Sequence, residues 1–149
     1  MEGKIVNIKG FKAVGISCFG DNCNGEIIKL WETFNQQYTN IQNKSKSMLC
    51  YGICDSDMDS EGRFNYTACV EVDSFENVPE NMETKVVQDG KYIVYTYTGA
   101  LKDLGEFYAN IFSKWLPASK VEMDYRPQLE VYDDRFMQNG EFDIYIPIK

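Results

Sequence analysis

The chain carries the same succession of signals twice, and that repeat restricts its fold more than any other feature. Gly10-Phe11-Lys12-Ala13-Val14-Gly15-Ile16 reads as a strand leading to Gly20, and a helix is predicted from about Gly25. Gly90-Lys91-Tyr92-Ile93-Val94-Tyr95-Thr96-Tyr97 reads as a second such strand leading to Gly99, again followed by a helix. The apolar residues of both helices recur at three-to-four spacing: Ile27, Leu30, Trp31, Phe34, Tyr38 and Ile41, then Leu101, Leu104, Tyr108, Ile111, Phe112 and Trp115. Asn24 and Thr98 are the expected N-caps, and Pro117 is expected to stop the second helix. Each helix is followed by two strands. These are Met48 to Cys54 and Phe64 to Val72, joined by the polar run Asp55 to Gly62, then Gln128 to Tyr132 and Phe142 to Ile148, joined through Gln138-Asn139-Gly140.

The pattern is therefore βαββ twice, with an offset of about 75 to 80 residues. The halves cover about 1–75 and 82–149, linked by Glu76 to Asn81. Two such units join most simply as one α+β domain over 1–149: a single antiparallel sheet, two main helices on one face, and a pseudo-two-fold axis. The face without helices is then the expected concave site.

Composition excludes several function classes. A formal net charge of -8 is the reverse of what a phosphate-binding surface needs, so direct nucleic-acid binding is not expected, while cationic partners are favoured. The chain has no histidine, which removes imidazole bases, Ser-His and Cys-His catalysis and His-ligated zinc. Five cysteines and no apolar leader read as reduced thiols in the cytoplasm, with no membrane span. Cys50 and Cys54 sit too far apart along a strand to share a metal; Cys18 and Cys23 flank a turn. The run Asp55-Ser56-Asp57-Met58-Asp59 opens like a calcium loop, but Ser60 and Tyr66 stand where that loop needs Gly and Glu. No metal or cofactor is expected. The 10 Tyr, 9 Phe and 2 Trp supply faces that suit either a core or a ligand pocket.

Four segments together carry a family resemblance. They are Gly90 to Tyr95 with Gly99, the helix end Trp115-Leu116-Pro117, the strand Pro127-Gln128-Leu129-Glu130-Val131-Tyr132, and the closing Ile144-Tyr145-Ile146-Pro147-Ile148-Lys149. In order and spacing the whole chain resembles the GyrI-like domain, the small-molecule-binding domain of bacterial multidrug-responsive transcription activators. The resemblance implies a pocket for lipophilic cations centred on a buried glutamate, which by position is Glu130. It implies a tyrosine of the last strand beside it, matching Tyr145, and aromatics from the start of the second helix, matching Phe107 and Tyr108. Such regulators carry a helix-turn-helix ahead of this domain, whereas Met1 here opens almost directly onto the first strand. A free-standing module acting through a regulator or enzyme partner is therefore expected.

Strand parity supports the same centre. Gln128, Glu130 and Tyr132 share one face of their strand, and Asp143 and Tyr145 share one face of theirs. If the apolar sets Leu129, Val131 and Phe142, Ile144, Ile146 all face the helices, then Glu130, Tyr132, Asp143 and Tyr145 line the open face together. A carboxylate among aromatic rings suits a cationic, aromatic ligand, with Trp115 as an outer wall. The plain alternative is a solvated or salt-bridged glutamate. Two other functions fit the resemblance: a hydrolase opening electrophilic small molecules with Glu130 and Tyr145, and an acidic protein inhibitor of a DNA-handling enzyme.

Overall fold

The computed structural model describes every residue except Cys23, so the expected approach of Cys18 to Cys23 lies outside the described residues. Eight strands form one antiparallel sheet: β1 (Lys4–Ile8), β2 (Phe11–Gly20), β3 (Cys50–Met58), β4 (Phe64–Val72), β5 (Glu83–Val87), β6 (Gly90–Tyr97), β7 (Gln128–Tyr132) and β8 (Phe142–Ile148). Their order is β1-β6-β8-β7-β3-β4-β2-β5. The two repeats meet at the β3–β7 ladder, and the order reads the same from either end once repeat mates are exchanged. The duplicated α+β layout is thus the observed one.

Strands β1 and β5 are additions that the repeat did not reveal, and they interlock the halves. β1 pairs with β6 of the second repeat, while β5 pairs with β2 of the first. Ile8 faces Gly90 and Phe11 faces Val87, so one register continues across the two-residue breaks. Residues 4–20 and 83–97 are in effect two long antiparallel strands paired with each other from Lys4–Val94 to Gly15–Glu83. A Cβ on Gly10, at that crossing, would lie 2.3 Å from the Val87 carbonyl oxygen, so only glycine fits there. With just Lys9 and Gly10 between β1 and β2, opposite ends of the strand order come together and the sheet curls on itself.

The curl explains where the apolar residues go. On the inner side Ala13, Tyr51, Ile53, Cys69, Tyr92, Leu129 and Val131 are buried against one another without any helix. On the outer side α1 (Glu26–Gln37) seats Phe34 on Val14, Tyr66, Ala68 and Val70. The second helical stretch, α2 (Leu104–Asn110), a π turn (Ile111–Trp115) and α3 (Leu116–Ser119), covers Tyr95, Tyr97, Phe142, Ile144 and Ile146.

Several helix ends differ from their expected caps. Asn22, not Asn24, satisfies the first turn of α1: its side chain accepts the Ile27 N–H, and Gly25 takes the left-handed conformation ahead of the helix. Thr98 does not cap the second helix; its hydroxyl donates to Glu141 instead. Nor does Pro117 stop that helix. Proline has no N–H and crowds the carbonyl four residues back, and the π turn just before α3 takes up the mismatch. The helix ends at Lys120, with φ 60°. The β7–β8 connection is not a plain turn either, because α4 (Asp134–Asn139) fills it, capped by Asp133 and ended by left-handed Gly140. Among the described residues no helix is long and apolar enough to cross a membrane.

Candidate functional site

The two helical stretches stand apart over the middle of the outer face. Between them a cleft of about 1140 Å³ opens above β3 and β7. Trp31 from α1, Tyr66 from β4, Tyr108 from α2, and Glu130 and Tyr132 from β7 all line it. The volume is slightly above the roughly 300–1,000 Å³ that small-molecule sites usually occupy.

Glu130 is the centre of this arrangement. It is 6% exposed, and among the described residues the hydrogen bonds to its carboxylate all come from tyrosines. Tyr66 donates to Oε1 at 2.6 Å, Tyr132 donates to the same oxygen at 2.9 Å, and Tyr108 donates to Oε2 at 2.6 Å. Three hydroxyls thus replace the water that a carboxylate loses on burial. Trp31 extends the set: its indole N–H donates to the Tyr66 oxygen at 2.9 Å, and its ring meets the Tyr132 ring edge-on at 5.2 Å. Burial, and then the neighbouring Glu130 charge, push all three tyrosine hydroxyls well above their ordinary value near 10, which keeps them protonated donors.

Register decides which expected site residues meet. Glu130 pairs with Ile144, Leu129 with Tyr145, and Val131 with Asp143. Residues directly opposite share a face, so Glu130 and Tyr132 point to the helix side with Ile144 and Phe142. Tyr145 and Asp143 point to the other side. The expectation that these four share an open, helix-free face is therefore corrected on two counts: Glu130 faces the helices, and the opposite face is closed by the curl. Tyr145 packs edge-on with Tyr92, among the inner-side residues. Phe107 and Trp115 pack on each other and on Tyr97 and Tyr95 beneath the second helix, away from the cleft. Phe112, one of the apolar residues in the periodic stripe of the second helix, is 38% exposed and lines the cleft. Of the expected residues, Glu130, Tyr132 and Tyr108 come together; Tyr145, Phe107 and Trp115 do not join them.

Sequence reasoning missed Tyr66 and Trp31. Tyr66 shares one face of β4 with Phe64 and Ala68, a pattern that marks a core as readily as a site, and Trp31 lies in the apolar stripe of its helix. Around the mouth, Asp21, Glu32, Asp55, Asp133 and Asp134 face a single lysine, Lys102, among the described lining residues. Exposed apolar side chains gather there too, including Ile28, Met48, Met58 and Met137. Unbranched methionines adapt to differently shaped guests. The α4 wall is fixed by Arg135, which bonds Asp133, Glu141 and Asp143 at 2.9, 2.9 and 2.7 Å. The thiols of Cys50 and Cys54 also reach the cleft, and burial raises both, Cys50 to about 11. They are poor nucleophiles there.

A curled, duplicated sheet with a ligand-sized cleft between its two helices is the architecture of a GyrI-like effector-binding domain. The chain belongs to the Cass2 family, the integron-associated effector binding proteins, whose model matches residues 4–148. It is 34% identical over 152 residues to the transcriptional regulator BrlR of Pseudomonas aeruginosa, a match covering 99% of this chain and 56% of BrlR, so the chain spans little more than half of that relative. Among solved structures it resembles SAV2435 bound to tetraphenylphosphonium, with a TM-score of 0.79 and 19% identity over 100% of this chain and 94% of that one. It also resembles an integron cassette protein from the mobile metagenome of Vibrio cholerae, with a TM-score of 0.69 and 22% identity over 100% and 97% of the two chains. The C-terminal domain of EcmrR gives a TM-score of 0.77 at 13% identity, over 99% and 97%.

Proposed function

We propose that this chain binds small lipophilic cations bearing aromatic groups in the cleft around Glu130, and that it serves as the sensing part of a regulatory system that acts through a partner protein. The observation that carries the reading is the buried Glu130 carboxylate, hydrogen-bonded by three tyrosine hydroxyls at the base of an aromatic cleft with an acidic mouth. A delocalised organic cation gains there from both charge and ring faces, and loses little hydration on entry. The acidic mouth raises the local concentration of such cations. Two relatives agree with the reading. SAV2435 was solved with tetraphenylphosphonium, and BrlR is a transcriptional regulator.

Trp31 forms part of the cleft wall, so intrinsic fluorescence reports occupancy. Titration with tetraphenylphosphonium is expected to give saturable quenching in the micromolar range, with the cation recovered chemically unchanged. Absence of saturation up to the solubility limit refutes binding, and conversion of an added electrophilic ligand would point to hydrolysis instead.

A further inference from the structure

We infer that Gly52 is a positioning residue of the binding site: its bare Cα lets the Tyr66 hydroxyl cross β3 to hold Glu130. The inference rests on the reading of the cleft as a cation site. Gly52 lies directly opposite Glu130 in the β3–β7 ladder, while Tyr66 belongs to β4, on the far side of β3, where it pairs with Cys54. To reach the Glu130 carboxylate from there, the phenol must pass over the backbone of β3. Directly opposite residues on one face of a sheet have their Cβ atoms about 5 Å apart, so a side chain at position 52 would occupy the space beside Glu130. The structure gives that space to Tyr66. A Cβ built on Gly52 would lie 2.0 Å from the Tyr66 hydroxyl oxygen, 2.6 Å from its Cζ and 2.7 Å from Glu130 Oε1.

These clashes involve buried atoms. Tyr66 is 1% exposed, and its hydroxyl is already tied at both ends, accepting from Trp31 Nε1 and donating to Glu130 Oε1. A methyl group at position 52 therefore pushes the phenol off the carboxylate and breaks the Trp31–Tyr66–Glu130 series at its middle member. No φ between +20° and +160° forces a glycine at this position, since Gly52 is in regular strand conformation within β3. The demand for glycine comes from the hydroxyl's route to Glu130. Gly52 is thus a determinant of charge recognition, acting through Tyr66 rather than by touching a ligand.

The test uses Gly52→Ala alongside Tyr66→Phe, which deletes the hydroxyl while adding no atoms. Two readouts are taken. The first needs no ligand: the Trp31 indole N–H resonance, resolved from that of Trp115 in a proton–nitrogen correlation spectrum, shifts in both variants while Trp115 stays put. The second is affinity for tetraphenylphosphonium against neutral triphenylphosphine oxide; both variants weaken the cation by about tenfold, the scale of one charge-assisted hydrogen bond, and the neutral compound by much less. Gly52→Ala introduced on top of Tyr66→Phe then adds less to the cation loss than it does alone. An unmoved Trp31 resonance in a folded Gly52→Ala protein overturns the inference, as does equal weakening of both compounds. If Gly52→Ala fails to fold, an unmoved Trp31 resonance in Tyr66→Phe overturns it. Should the wild type bind neither compound while the Trp31 shift occurs, the ligand reading fails and the positioning of Tyr66 by Gly52 stands.

Discussion

Glu130→Gln isolates the charge at the base of the cleft from its shape. The carboxylate oxygens lie 2.6 to 2.9 Å from the three tyrosine hydroxyls, so a cation resting on the aromatic rings beyond them sits about 6 Å from the charge. At an effective dielectric near 20, two unit charges at that separation attract by about 3 kcal/mol. Desolvation of the ligand returns part of this, leaving about 1–2 kcal/mol, or roughly 5- to 30-fold in affinity. Calorimetric titration with tetraphenylphosphonium and with triphenylphosphine oxide is the assay. The Gln variant is expected to lose that factor for the cation and to bind the neutral oxide almost unchanged. Folding stability moves less. The amide weakens three charge-assisted hydrogen bonds and obliges one hydroxyl to turn and accept, but it also relieves the burial of a charge. The opposing effects leave a net change within about 1.5 kcal/mol by urea unfolding. Equal losses for both compounds would show that Glu130 only shapes the cleft, and no loss for either would place recognition elsewhere.

Phe34→Ala empties the fully buried anchor of α1, against which Trp31 and Tyr38 pack, and is expected to lower stability by about 3–5 kcal/mol; a loss under about 1 kcal/mol by urea unfolding would mean that α1 is held by other contacts. Arg135→Met tests the α4 wall and its pH dependence. Hydrogen bonds from Arg135 hold the Asp133 carboxyl below its usual range. Its folded value is depressed, so its contribution is fully present above the unfolded value and is lost as pH falls through the lower folded one. The variant is therefore less stable than the wild type at neutral pH, by a modest amount because these side chains are about a third exposed. The gap is expected to close below about pH 4, and a gap that persists at lower pH would assign the effect to packing.

The parts of this molecule that were legible in the sequence are those with local causes. Alternation within Gln128–Tyr132 and within Phe142–Ile148 put the right residues on common faces of each strand, and the helical periods located both main helices. What one strand shows its neighbour is a matter of register, and that depends on long-range pairing. Joining Glu130 with Tyr145, rather than with Ile144, is a slip of one residue, and a slip of one residue inverts every face. The curl compounded the error, because Leu129 and Ile144 are both buried but on opposite sides of the sheet. An apolar residue therefore did not identify the helix side. β1 and β5 went unseen because each completes its pairing in the other repeat. The α4 signals were present, with Asp133 at the N-cap and Gly140 after the last turn, but the same residues also read as a hairpin connection.

The exchange of β1 and β5 between the repeats has a consequence for how the chain is made. On the ribosome, Lys4–Ile8 is made more than eighty residues ahead of its ladder partner Gly90–Val94. Through that interval the first repeat holds β2, β3 and β4 with no place for β1, and the base of the cleft is missing Glu130, Tyr132 and Tyr108. An early segment that waits for a late one makes the last steps of folding contingent on nearly the whole sequence. A nascent chain stalled before β6 exposes an unpaired strand to chaperones and proteases, and its cleft is unformed. The cleft therefore takes shape only once β6, α2 and β7 have all been made.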